Sequence, residues 1–336
     1  MWAIYITNFV FWVGIAHSGT LISAILYLFR AKWRTSISRA AEAMTVFAIM
    51  TAGLFPLIHL GRVWKFYWLL PYPNQRGLWI NFKSPLIWDV FVINVYLVLC
   101  VAMLYFSIKG NKKLLKTFAI ISIPAFVLVH SVTAWIFGLM KSQAGWHTAI
   151  LAPLFIISAL VSGLACVLIT ILFSRRFLGI QFSDDVIISL GKYFKGLLPI
   201  LFYLLFCEFL TAGFAKIPTH AVVLKELFTG RFAGIFWFDI SLGIIIPFFI
   251  IISKFGKTTI GVGIVSLLSF LGVFAERIDI ILPSFFHPAL MNVRIASRYH
   301  PTGIEFLLVI GLFALSAVLF IVATKVIPMF EGGKTR

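Results

Sequence analysis

Residues 151–173 read LAPLFIISALVSGLACVLITILF, and Ser174, Arg175 and Arg176 follow at once. No charged side chain lies between Leu151 and Phe173. As an α-helix, such a run rises about 1.5 Å per residue and clears the roughly 30 Å hydrocarbon core of a bilayer. A helix in a soluble core would show a polar face. This run is apolar all round, and the two arginines mark where it meets water.

Blocks of the same kind recur along the chain. Helices are expected near 8–29, 40–60, 86–108, 117–139, 147–173, 193–214, 234–253, 258–282 and 303–327. Hydrophobic residues make up 61% of the sequence and charged residues 12%, against about 25% charged in a soluble domain. The alternation of a membrane β-barrel is absent from the blocks. The expected fold is an all-α integral membrane protein with about nine transmembrane helices. The first block lacks a basic leader and a small-residue cleavage site, and Arg30, Lys32 and Arg34 follow it, so it reads as a retained anchor.

The formal net charge of +17 does not mark a nucleic-acid binder, because the basic residues gather in short loops rather than on one arm. One alternate set of loops holds Arg30, Lys32, Arg34 and Arg39; Lys109, Lys112, Lys113 and Lys116; Arg175, Arg176, Lys192 and Lys195; Lys254 and Lys257; and Lys325, Lys334 and Arg336. That set is most of the 28 basic residues. The positive-inside rule assigns it, and the C-terminus, to the cytoplasm. The opposite loops differ in character. Residues 61–85, GRVWKFYWLLPYPNQRGLWINFKSP, are dense in rings that favour the membrane interface. Segment 283–301 adds aromatics, prolines, His287 and His300. A docking surface or site mouth is expected on this external side.

Ionisable groups inside a bilayer are costly and are functional candidates for that reason. They are His17, Glu42, His59, Asp89, His130, His147, Glu208, Asp239, Glu276, Arg277 and Asp279. Each also has a structural role open to it, bonding a neighbouring helix. His59 closes the second helix in FPLIHLGR, and Asp89 opens the third in SPLIWDVF. Consecutive helices are usually neighbours, so this histidine and carboxylate are expected together near the external face. Quinol oxidation releases two protons with two electrons, and a base must take each proton. A histidine and a hydrogen-bonded aspartate are suited to that near neutral pH. Gly53 and Pro56 would loosen the helix ahead of His59 and make room for a ring.

Glu276 and Arg277, with Asp279, offer either an internally paired charge cluster or a second wall of that cavity. Glu208, Asp239, His130 and His147 are candidates for a proton pathway. Cys100, Cys166 and Cys207 stand singly, with no metal-ligand or redox spacing. Each helix carries at most one central histidine, which does not match bis-histidine haem ligation. No phosphate loop, HExxH or CxxC occurs, so neither a metal site nor a haem or iron–sulfur cluster of its own is expected.

These stretches resemble the NrfD/polysulfide-reductase membrane-subunit family. FVFWVGIAHSGTLISAIL (9–26), RAKWRTSISRAAEAMT (30–45), FPLIHLGR (55–62), FYWLLPYPN (66–74) and FKSPLIWDVF (82–91) follow in family order. Later echoes are HSVTAW, GWHTAI, CEF at Cys207–Phe209, the Glu276–Arg277 pair and YHPT at Tyr299–Thr302. The likeness is strongest to the quinol-oxidising subunit of bacterial alternative complex III and to related quinone-reductase complexes of sulfate reducers.

The resemblance implies two four-helix bundles, here residues 1–140 and 141–284. Residues 285–336 would add an external loop, a last helix and a cytoplasmic tail. It implies a quinone site at the external end of the first bundle, with His59 and Asp89 catalytic and His17, Arg62, Glu276 and Arg277 around the quinone. It further implies quinol or quinone, with menaquinone expected, as substrate and no redox cofactor on this chain. The implied partners are a peripheral iron–sulfur subunit on the external face, other membrane subunits and cytochrome c-type subunits, in a bacterial or archaeal cytoplasmic membrane. Close relatives carry a further helix ahead of FVFWVGI, so either a short member or a missing first helix is expected. The residues alone leave a second function open, a proton-coupled secondary transporter. That function would call for inverted repeats and midplane carboxylates; no clear repeat is visible, and the ionisable residues sit toward one end.

Overall fold

The structure is a computed structural model that describes residues 3–17, 37–143, 145–180, 182–286 and 301–327, without the side chains of His59, Ile80 and Thr219. The described residues are helical with short turns and contain no strand. The helices are α1 (Ala3–Ile15), α2 (Ser38–His59), α3 (Pro85–Ile108), α4 (Lys112–Gly138), α5 (Leu151–Phe177), α6 (Asp184–Gly191), α7 (Phe194–Phe214), α8 (Pro218–Phe228), α9 (Ala233–Phe238), α10 (Ile246–Ile252), α11 (Thr259–Phe286) and α12 (Gly303–Val326). A π-helix, Asp239–Ile245, joins α9 to α10 without a break. Among the described residues, eight stretches are long and apolar enough to cross a membrane, and α1 adds a shorter apolar helix. This matches the expected set of about nine. The second half of the first expected block, 18–29, lies outside the described residues.

Apolar residues face both inward and outward, as a bilayer demands. On α3, Phe91, Val95, Val98, Val101 and Tyr105 are exposed, while Asp89, Tyr96, Cys100 and Met103 are buried. The membrane solvates the first group, so the polar residue is the one that turns inward.

The helices pack as two adjoining sets. α2 packs on α1 and α3, and α3 on α4; α5 packs on α7 and α11, and α11 on the π-helix and α10. The sets meet where α4 lies on α5 and where α1 lies on α5 and α11. α12 leans on α2. It starts with a capping box, in which Thr302 and Glu305 each bond the other's backbone N–H. That pairing satisfies donors that a helix start leaves free.

Two irregularities bear on function. Pro247 lies four residues after Gly243, and in an α-helix its ring would press on the Gly243 carbonyl. The wider π turn ahead of it relieves that clash. The same turn lets Gly243 meet Gly272 of α11 backbone to backbone. A Cβ on Gly243 would stand 2.6 Å from the Gly272 Cα, and one on Gly272 would stand 2.4 Å from the Gly243 Cα. The second irregularity is the connection from α4 to α5. Trp146 wedges between Phe137 and Phe285 at ring distances of 4.8 and 5.5 Å, and its indole N–H donates to the Ile280 carbonyl at 2.8 Å. It ties α4 to the end of α11.

Candidate functional site

Segment 60–84 joins α2 to α3 through two short 3-10 turns, Val63–Leu69 and Ile80–Lys83. Trp64, Phe66, Tyr67, Trp68, Trp79 and Phe82 are all exposed on it. Asn74 holds the tip by accepting from the Arg76 and Leu78 N–H groups. Trp88 anchors its end by donating to the Phe82 carbonyl at 2.6 Å. Arg62 is exposed at its start. The α4–α5 connection and α8 lie at this same end of the helices, termed the aromatic end below.

Asp89 lies just inside the aromatic end, near the start of α3, and is only 1% exposed. Thr133 of α4 donates to its Oδ1 at 2.6 Å, while Oδ2 has no hydrogen-bond partner among the described residues. One turn deeper, His130 and His17 face each other with ring centroids 4.0 Å apart. Tyr96 stacks on His17 at 4.5 Å, and Phe126 packs against both histidines. His17 Nδ1 bonds the Val13 carbonyl; among the described residues, Nε2 of His17 and of His130 have no hydrogen-bond partner. Asp89, His17 and His130, chosen separately from the sequence, thus form one buried group. α2, which His59 closes, packs on α3, which carries Asp89. The side chain of His59 lies outside the described residues.

Glu276 and Arg277 lie on α11 at the junction of the two helix sets, each 1% exposed. Arg277 donates to Ser158 of α5 and to Glu276 Oε1, the latter at 3.3 Å, and its guanidinium covers the Phe155 ring at 4.0 Å. A guanidinium buried this deeply needs such partners, because an unpaired charge there would cost several kcal/mol.

Beyond it lies a cavity of about 50 Å³ whose walls include Glu208, His220, Asp239, Glu276 and Asp279. That is room for a few waters. Asp239 of the π-helix lines this space, and Asp279 has no hydrogen-bond partner on either carboxyl oxygen among the described residues. Glu208 accepts from Thr148 at 2.8 Å. His147 is exposed and bonds the Gly138 carbonyl at 3.0 Å. At the cavity's edge, in α8, partial burial and then the neighbouring His147 hold His220 below the ordinary histidine range.

The sequence-derived residues therefore fall in two places. Asp89, His17 and His130 share the first helix set. Glu276, Glu208 and Asp239 line the cavity of the second, with Arg277 between. Arg62 and His147 stand apart at the surface. Sequence reasoning passed over the hydroxyls Thr133, Thr148 and Ser158, and also Tyr96 and His220. Thr133 had a signal, since it sits one turn from His130 in HSVTAW; Ser158 lies in a featureless apolar run. No group of three or more potential metal ligands occurs among the described residues.

A family model described as polysulphide reductase, NrfD, matches residues 1–289. The chain is 27% identical to the Hdr-like menaquinol oxidoreductase integral membrane subunit of Archaeoglobus fulgidus, across 98% of this chain and 85% of that protein. It is 25% identical to a selenate reductase subunit of Mesobacillus selenatarsenatis, across 99% of this chain and 87% of that protein.

Proposed function

Because the chain belongs to the NrfD polysulphide reductase family, we propose that it is the quinone-reactive membrane subunit of a respiratory oxidoreductase complex. It exchanges two electrons between a quinol and a peripheral iron–sulfur subunit seated at the aromatic end. The basic loops opposite support an external position for that end. The observation that carries this function is Asp89. Asp89 is a carboxyl group 1% exposed and held by the Thr133 hydroxyl, one turn along α4 from His130, which packs with His17, itself stacked on Tyr96. A planar quinone head has the shape that such rings pack against.

In the forward direction, two electrons leave the quinol for the partner and two protons leave its oxygens. Asp89 takes one proton and His59, at the end of α2, takes the other. In this reading His17 takes part in holding the quinone head, Arg62 meets it from the surface, and Glu276 with Arg277 sets the field behind it. The name of the Archaeoglobus fulgidus relative supports menaquinol as the substrate. The same reading makes residues 1–140 the quinone-reactive bundle and 141–284 a proton-carrying one, reached through His130, His147, Glu208 and Asp239. Cytochrome c-type subunits are the further partners it implies.

The test is quinol-dependent turnover of the intact complex carrying His59→Ala or Asp89→Asn. Loss of a positioned base predicts a fall of about 100-fold or more. Normal turnover in both variants would remove this site. A lone chain that moves a solute in proteoliposomes and binds no quinol would favour the transporter instead.

A further inference from the structure

The buried ionisable groups of the two helix sets are not two islands. Thr133 joins Asp89 to α4, and His130 lies one turn away on the same helix. His130 lies 4.0 Å from His17, ring to ring, and within electrostatic reach of Arg277. Arg277 bonds Ser158 and Glu276. Glu276 in turn interacts with Asp239 and Asp279, which line the cavity with Glu208. The groups lie on α3, α4, α11 and the π-helix, with His17 just after α1, so they run from one helix set to the other.

Two further features suggest what the row carries. Its members hold polar atoms with no hydrogen-bond partner among the described residues: Asp89 Oδ2, His17 Nε2, His130 Nε2, Arg277 Nε, Glu276 Oε2 and both Asp279 oxygens. Buried polar atoms of this kind are normally met by ordered water. The charge count is also lopsided. Glu208, Asp239, Glu276 and Asp279 share the cavity with His220 as the one basic group on its wall among the described residues, and Arg277 pairs with Glu276 behind it. Protons are the counter-charge that costs least in such a space.

We propose that this row passes an excess proton, carried by bound water, between the Asp89 site and the carboxylate cavity, with Arg277 as its gate. The ligand of the cavity is then the hydrated proton. The step is an exchange: protonated Asp89 and ionised Glu276 become ionised Asp89 and protonated Glu276, with no electrons moved. While Glu276 is ionised it balances the Arg277 charge, and a proton can pass His130. Once Glu276 is protonated, Arg277 loses its bonded counter-charge and repels the next proton at His130. Arg277 is thus a positioning residue that acts through Glu276. The proposal rests on the quinol function above for the source of the proton.

The test is infrared difference spectroscopy of the intact complex, triggered by a short-chain menaquinol. Carboxyl bands are assigned by Asp89→Asn and Glu276→Gln. Both bands are expected to respond, with the Glu276 response slowed at least tenfold by Arg277→Met and restored by Arg277→Lys. No response from Asp89 would overturn the quinol site itself. A response from Asp89 without one from Glu276 would overturn the row and leave the quinol site standing. A Glu276 response of normal rate in Arg277→Met, or Arg277→Lys as slow as Arg277→Met, would overturn the gate. Should Arg277→Met not assemble, Ser158→Ala removes the hydroxyl that holds the guanidinium. A severalfold slower Glu276 response is then expected, and an unchanged one overturns the gate.

Discussion

The two helix sets bury similar residue types and surround them differently. In the first, Asp89 has one hydroxyl for company, and behind it His17 and His130 are packed among Tyr96 and Phe126. In the second, four carboxyl groups face a small cavity, braced by Thr148 and by Arg277 on Ser158. Rings pack against a flat apolar molecule; a carboxyl-lined space suits water and protons. The difference teaches that an ionisable residue in a membrane says little alone. Its neighbours decide whether it handles a substrate or a charge.

The largest effect separates the two sets directly. Asp89→Asn lowers quinol-dependent turnover about 100-fold or more, whereas Glu208→Gln, half-buried at the cavity's edge, lowers it by less than about tenfold. Equal losses, measured with the same acceptor, would break the comparison. Next comes packing. Gly272→Ala drives a methyl into Gly243 and destabilises by about 1–3 kcal/mol. Gly53→Ala in α2, where an added Cβ meets nothing within 4 Å, is neutral or stabilising by up to about 1 kcal/mol. Thermal unfolding in detergent distinguishes them.

Third, Thr133→Val strips the donor from Asp89 and slows turnover about tenfold, the scale of one buried hydrogen bond lost. Thr148→Val, at a wetter site, does less. The smallest effect is at His220. Because burial and His147 hold it below the ordinary histidine value of 6.5, its neutral form predominates above that pH and it gains charge as the pH falls below it. His220→Gln and the unaltered protein therefore share one turnover profile above pH 6.5 and separate only in more acidic buffer.

Much of this was legible in the sequence because bilayers demand long apolar runs. LAPLFIISALVSGLACVLITILF needs no partner to be read as a helix. Asp89, His17, His130 and Glu276 were visible for the converse reason, as costly exceptions. Hydroxyls were not. Thr7 and Thr45 bond their own helix carbonyls four residues back, and nothing local separates them from Thr133 or Ser158, which reach other helices. The row of buried ionisable groups was hidden for the same cause, since it depends on which helices touch. The short helices α6 and α8 fell in stretches read only as loops. The π-helix had a signal in Gly243 and Pro247, but it becomes meaningful only once Gly272 is known to lie opposite.

That π-helix has a consequence of phase. Each residue turns an α-helix by about 100°, so one widened turn rotates everything beyond it relative to what came before. Asp239 and the lipid-facing Phe249 can thereby be aimed independently within one continuous span. Deleting a single residue from Asp239–Ile245 would restore a regular spiral and leave the composition almost untouched. It would also swing the carboxyl group out of the cavity, or the phenyl ring out of the lipid.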